Sequence, residues 1–298
     1  MHSPGAVLLA LAKMSRPMPL AAATLAWLLG VSMAYGKGAA LAPGPILAGA
    51  FAALVTILSL HYANECADYE TDALTRRTHY SGGSGALPAG LISRSFTLKA
   101  TIVALLAGLT AQVLAVLSGI HHWSALALLL ISSFWGLMYS LPPLRLAWRG
   151  LGEIDNAVLG GIAAPLHGYS TVSGQMDFWV ILACLPFTLL CFNNLLAVAW
   201  ADRHADRKVG KMTLATRWPS SYLVWLYRAV AIASYSALAL LFPSTIPVWV
   251  LMAGFAALPL SLIGAHSYTR AELSLSSIYA MALMIVGQML AWFVYGLF

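Results

Sequence analysis

The residues that could do chemistry come in two short stretches. Residues 64–72 read NECADYETD, and Asn64, Asp68 and Asp72 recur every fourth position. On one helix they would form a single oxygen-bearing stripe, with Glu65 and Glu70 pointing off it. Residues 201–208, ADRHADRK, repeat the spacing with Asp202 and Asp206. The chain has only ten acidic residues, and four are these aspartates. Both stretches end long apolar runs, where carboxylates are costly and mark function. Two such stripes facing each other would repel unless cations sat between them. Hard oxygen donors suit Mg²⁺, which binds a few carboxylates together with substrate phosphates. Arg76, Arg77, Lys208 and Lys211 lie beside the two stretches and could complete a phosphate cage. The expectation is a diphosphate held by Mg²⁺ between Asn64, Asp68 and Asp72 on one side and Asp202 and Asp206 on the other. The plain alternative is a pair of solvated helix ends, with Arg203 and Arg207 neutralising the acids. The doubling of the motif, both copies at span ends on one side, favours the functional reading.

The elements that must position these residues are membrane spans. The chain is 298 residues long, 60% hydrophobic and 9% charged, against roughly 25% charged in a soluble domain. That charge could not cover a soluble surface, and several apolar runs reach the ~20 residues that a bilayer crossing needs. The expected fold class is all-α: nine spans at 17–36, 42–63, 95–117, 122–141, 153–172, 177–200, 220–241, 246–265 and 274–297, forming one transmembrane domain over 1–298. Residues 1–17 lack a basic start and a clear cleavage site, so they read as an interfacial segment rather than a removable signal.

Of the 16 Lys and Arg, only Lys37 falls on the side opposite the two motifs. The basic side is the cytoplasmic one, which places the N-terminus and both motifs there and Phe298 outside. The net charge of +6 is mostly this asymmetry, and no nucleic-acid partner is needed to explain it. The expected location is a cell membrane. Cys66, Cys184 and Cys191 have no metal-type spacing and read as buried free thiols.

The motifs resemble those of the UbiA superfamily of intramembrane prenyltransferases. NxxxDxxxD after the second span and DxxxD followed by GKMTL after the sixth carry the resemblance, which extends over most of the chain. SRP at 15–17, GGSGALPAGLIS at 82–93, YSLPPLRL at 139–146 and RGLGE at 149–153 support it. The 82–93 loop resembles the branch containing 1,4-dihydroxy-2-naphthoate prenyltransferases. The resemblance implies nine helices around a cavity open to lipid, an isoprenyl diphosphate donor, an aromatic acceptor and Mg²⁺, in menaquinone or related lipid-quinone synthesis. It implies catalytic roles for Asp68, Asp72, Asp202, Asp206 and Tyr139, and diphosphate contacts from Arg76 or Arg77 and from Arg145. Two departures stand out. The family often has YxxxK where this chain has Tyr139 and Pro143, the nearest base being Arg145. Val198 stands where many relatives carry Asn, with Asn194 one turn earlier, which implies fewer protein ligands at the second motif.

In that reading the allylic C–O bond breaks as the diphosphate leaves, and apolar helices keep water from the cation. Tyr62, Tyr69, Trp135, Tyr139 and Trp200 lie near the cytoplasmic span ends; most are expected to pack rather than stabilise the cation. His121 and His122 read as an interfacial loop, His167 and Gln175 as packed or interfacial polar groups. Glu153 and Asp155 read as helix-start acids or partners of Arg149. Alternatives are the same fold acting on a hydroxybenzoate, haem, chlorophyllide or glycerol phosphate, or an ion-coupled transporter. Transporter acids favour the bilayer midplane, whereas these sit at cytoplasmic span ends.

Overall fold

A computed structural model describes residues 4–74 and 83–298, and among them there is no strand. The helices run in order α1 Pro4–Met14, α2 Pro17–Gly36, α3 Pro43–Ala67, α4 Tyr69–Leu74, α5 Arg94–Leu117 and α6 Trp123–Ser140. A single 3-10 turn, Leu146–Trp148, leads to α7 Gly152–Val158 and α8 Ala164–Ser173. Then come α9 Phe178–Lys208, α10 Leu214–Arg217, α11 Ser220–Leu240, α12 Val248–Phe255, α13 Leu258–Ser267 and α14 Leu275–Tyr295.

Local chemistry sets several boundaries. Pro17 and Pro43 open α2 and α3, where a missing N–H costs nothing. Ser93 caps α5 by accepting the Phe96 N–H at 3.2 Å. Eight helical segments are long and apolar enough to cross a bilayer, counting Val248–Ser267 as one. The fifth expected span is the exception. It is present as 152–173 but broken into α7, a π-helical turn Leu159–Ala163, and α8. Gly160 and Gly161 weaken the helix there, and Pro165 removes a backbone donor just beyond. The break lets α9 approach closely: a Cβ on Gly161 would lie 2.5 Å from Thr188 Oγ1.

The outward faces are apolar. Leu117 is 77% exposed and Leu240 81%, the pattern of a surface solvated by lipid rather than water. Inside, α2 and α8 cross with almost no space between their backbones. A Cβ on Gly30 would fall 1.7 Å from Pro165 O, and one on Gly168 2.0 Å from Trp27 O. Small residues at such crossings give bilayer helices their packing energy.

Beside this crossing runs a buried polar chain. Trp27 Nε1 donates to His167 Nδ1 at 2.9 Å, His167 Nε2 contacts Gln112 Oε1 at 3.3 Å, and Gln112 Nε2 contacts His121 Nδ1 at 2.9 Å. His121 Nε2 ends the chain on Pro45 O at 2.9 Å. The indole can only donate and the carbonyl can only accept, so both imidazoles carry their proton on Nε2 and every group is satisfied. The network ties α2, α3, α5, α8 and the α5–α6 connection together. His121 is therefore not an interfacial loop residue as expected, but 5% exposed and part of the interior.

In the N-terminal segment, α1 buries Ala10 and Met14 against Tyr62 and Cys66 of α3 and against Leu87 and Ile92. Its Leu8 and Leu9 remain exposed.

Candidate active site

The first motif sits at a break rather than on one continuous helix. α3 ends at Ala67, Asp68 is its C-cap residue, and α4 restarts at Tyr69. The ladder survives the break, because Asp68 N–H donates to Asn64 O and Asp72 N–H to Asp68 O, each at 2.8 Å. Asn64, Asp68 and Asp72 are all buried, while Glu70 faces out. The second motif lies inside α9, which runs eight residues beyond its expected end at 200. Asp202 and Asp206 are thus held on a rigid helix.

Lys211 joins the two motifs. Its Nζ lies 3.0 Å from Asp68 Oδ2 and 3.7 Å from Asp206 Oδ1. Burial works against the ammonium charge, but Asp68 and Asp206 outweigh it and hold the group charged well above its usual range. Asn64 Nδ2 donates to the same Asp68 Oδ2 at 3.0 Å and to Ser140 Oγ at 3.0 Å, which fixes the carboxylate and brings in the end of α6.

Arg16 plays the matching part for the first motif. Its Nε donates to Glu65 Oε1 at 2.8 Å, and its Nη2 is 3.7 Å from Asp72 Oδ2. Burial opposes its charge; Glu65, Asp72 and Asp68 restore it. Glu65 also accepts Ser84 N–H at 2.9 Å and Ser84 Oγ–H at 2.6 Å. Glu65 does not point away from the site, as the spacing suggests, but clamps the 83–93 loop and Arg16 onto it. Gly83, at φ +60°, makes room: a Cβ there would lie 1.9 Å from Asp72 Oδ2.

Charge is left over. Glu65, Asp68, Asp72, Asp202 and Asp206 are five carboxylates, and Arg16 and Lys211 are the cations paired with them among the described residues. Asp68 Oδ1, Asp72 Oδ2 and Asp202 Oδ1 are buried without a hydrogen-bond partner. Burial pushes the Asp72 carboxyl up to about 7 against the pull of Arg16. Orphaned buried carboxylate oxygens of this kind call for a cation. Among the described residues no three His, Cys, Asp or Glu side chains converge tightly enough to enclose an ion by themselves. The set instead fits a hard cation that takes one or two carboxylates and completes its shell with phosphate oxygens and water.

Residues 21–285 match the UbiA prenyltransferase family. The chain belongs to that family. Membership makes it an integral membrane protein and tells against the transporter alternative. A 1,4-dihydroxy-2-naphthoate octaprenyltransferase from Mycobacterium leprae (strain TN) is 26% identical over 194 residues, which cover 61% of this chain and 60% of that relative. The match thus spans less than two thirds of the relative's length. Among solved structures, a UbiA homologue from Archaeoglobus fulgidus bound to GPP and Mg²⁺ superposes with a TM-score of 0.73, at 18% identity over 97% of this chain and 98% of that one. A digeranylgeranylglyceryl phosphate synthase does so with a TM-score of 0.65, at 15% identity over 97% and 98%. Such likeness establishes the fold of this UbiA-family enzyme.

The remaining expected site residues fall in different places. Arg76 and Arg77 lie outside the described residues. Lys208 is exposed at the end of α9. Arg145 stacks over the Trp148 ring, 4.0 Å from its centroid. The Tyr139 ring packs where a Cβ on Gly152 would come within 3.1 Å of it. Arg203 and Arg207 do not neutralise the aspartates: Arg203 donates to Trp200 O and Arg207 to Thr216 O at 3.1 Å. Glu153 is not paired with Arg149. Its Oε1 accepts the Leu214 N–H at 2.9 Å, fixing the segment after Lys211, while Arg149 donates to Pro143 O at 3.1 Å. Asn194 Oδ1 is buried without a partner two turns before Asp202.

Sequence reasoning gave Arg16, Glu65, Ser84 and Ser140 no place in the site. Of these, Arg16 carried a signal, since SRP at 15–17 is one of the stretches that support the family resemblance. Glu65 and Ser140 look like ordinary residues near span ends.

Proposed function

We propose that this enzyme transfers a polyprenyl group from an isoprenyl diphosphate to an aromatic acceptor of the 1,4-dihydroxy-2-naphthoate type, with Mg²⁺ as cofactor and the site open to the cytoplasmic side. One observation carries this reading: two carboxylate clusters on separate helices share one lysine and still keep orphaned buried oxygens. A diphosphate–metal complex is the ligand that supplies both the missing positive charge and new acceptors for the lysine. The names of relatives support donor and acceptor classes: the archaeal homologues bind GPP or DMAPP with Mg²⁺, and the mycobacterial relative is named for the naphthoate.

Asn64, Asp68 and Asp72 would hold one metal position and Asp202 and Asp206 the other. Bound there, Mg²⁺ supplies charge stabilisation to the departing diphosphate. Lys211 releases Asp68 and Asp206 and donates to phosphate oxygens, with Arg76, Arg77, Arg145 and Lys208 as further contacts. Arg16 and Glu65 keep Asp72 and the 83–93 loop in place as charge shifts. The allylic C–O bond breaks with its electron pair going to the diphosphate. A ring carbon of the acceptor then forms the new C–C bond and loses its proton to a base. The apolar interior excludes water from the carbocation, and Tyr139 offers a ring face beside the first motif's partner Ser140.

Purified protein in nanodiscs, given Mg²⁺, a labelled polyprenyl diphosphate and a panel of acceptors, tests the proposal by mass spectrometry. The panel includes 1,4-dihydroxy-2-naphthoate, a hydroxybenzoate and glycerol phosphate. A Mg²⁺-dependent naphthoate product, absent in Asp68→Ala and Asp202→Ala, supports the reading. A product with a different acceptor alone overturns the acceptor assignment, and donor binding that ignores Mg²⁺ overturns the clamp.

A further inference from the structure

We propose a second anion site, distinct from the carboxylate clamp: the cavity between the end of α9 and the start of α11 binds the phosphate of an anionic phospholipid headgroup. The cavity measures about 230 Å³ and is lined by Trp200, Arg203, His204, Arg207, Ala215, Trp218, Pro219 and Ser220. No carboxylate is among its lining residues. Arg203 and Arg207 stand one helical turn apart on α9, on a different stripe from Asp202 and Asp206.

Both guanidiniums are anchored but not used up. Each spends an N–H on a backbone carbonyl, and the Arg203 guanidinium carbon sits over the Trp200 ring, 3.8 Å from its centroid. Of five donors on each, the others remain for an oxyanion, and the anchoring has already fixed their direction. Trp200, one wall of the cavity, has a buried indole N–H without a partner. The opposite wall is the first turn of α11, whose N-cap residue Pro219 contributes no side-chain hydrogen bond. That turn adds the positive end of a 21-residue helix to the two arginines.

The phosphate could come from a soluble diphosphate or from a lipid. The surroundings favour the lipid. Trp218, which lines the cavity just ahead of α11, and Tyr222 and Trp225 in the first turns of α11 are 42%, 65% and 71% exposed, as aromatic side chains are at the level of lipid headgroups. Basic pockets between spans on the cytoplasmic side recognise such headgroups.

Native mass spectrometry on the detergent-solubilised full chain tests this with phosphatidylglycerol, phosphatidylcholine and inorganic diphosphate as separate probes. Its readout is independent of prenyl transfer, so it stands or falls apart from the proposed activity. The wild type is expected to retain one phosphatidylglycerol in preference to phosphatidylcholine. Arg203→Gln/Arg207→Gln is expected to bind it roughly tenfold more weakly or worse. Ser220→Asp guards against misfolding, because an acid in the first turn of α11 favours the helix while repelling a phosphate; it should lose the lipid at unchanged or higher Tm. Equal retention of both lipids by the wild type, or wild-type retention by Ser220→Asp, overturns the site. Displacement of phosphatidylglycerol by inorganic diphosphate at similar concentration overturns the lipid assignment.

Discussion

Lys211 Nζ lies 3.0 Å from Asp68 Oδ2, a contact across 143 positions of sequence, and the same ammonium reaches Asp206 at 3.7 Å. A single side chain therefore bridges the two halves of the clamp. A cation shared by two buried carboxylates cannot be removed without leaving both uncompensated, and breaking such an arrangement costs about 3–5 kcal/mol.

Lys211→Met should accordingly lower Tm strongly without Mg²⁺, and added Mg²⁺ should raise Tm more in the variant than in the wild type. A thermal scan of both proteins with and without the metal checks this. Equal Mg²⁺ shifts in the two would show that lysine and metal do not serve the same carboxylates.

Asp68→Asn and Asp202→Asn keep shape and remove charge. Each should reduce prenyl transfer by about a hundredfold or more, the scale of losing one preorganised electrostatic contact in a water-poor site. The loss should also appear in Mg²⁺-dependent binding of the donor, measured directly on the purified variants. A fall in rate with intact Mg²⁺-dependent donor binding would remove these residues from the clamp.

Asp72 gives the site a pH dependence. Burial raises its carboxyl from 3.8 to about 7 in the folded chain. A raised acid contributes stability that is fully present below its unfolded value and is lost as pH rises through the folded one. Without metal, Tm should therefore fall as pH rises from about 4 to about 7 and level off above that. A metal needs the ionised form, so Mg²⁺ affinity should rise over the same interval and level off above it. Titrating Mg²⁺ against Tm at several pH values reads both trends, and Asp72→Asn should weaken both.

The buried chain Trp27–His167–Gln112–His121–Pro45 predicts a stability effect away from the motifs. Gln112→Leu leaves the His167 donor and the His121 acceptor without partners, at about 1–3 kcal/mol each. Tm should fall clearly, while product identity and Mg²⁺ dependence of the surviving fraction stay unchanged. A Leu variant as stable as the wild type would mean that the network contributes little.

Much of this was legible in the chain because the signals are local. Apolar runs about as long as a bilayer is thick place the spans, and a four-residue spacing at the ends of α3 and α9 marks the five candidate ligands. Lopsided lysine and arginine put both motifs on one side. Tertiary structure alone decided who stands next to them. Arg16 and Glu65 meet across 49 positions and Lys211 and Asp68 across 143, and no periodicity relates residues so far apart. It also decided that Arg203 and Arg207 turn away from the aspartates to backbone carbonyls, and that His121 goes inside. The half-buried Arg203 and the exposed Arg207 take the carbonyls within their reach, and the buried His121 goes where its hydrogen bonds can be completed; only the packed helices determine where those partners are.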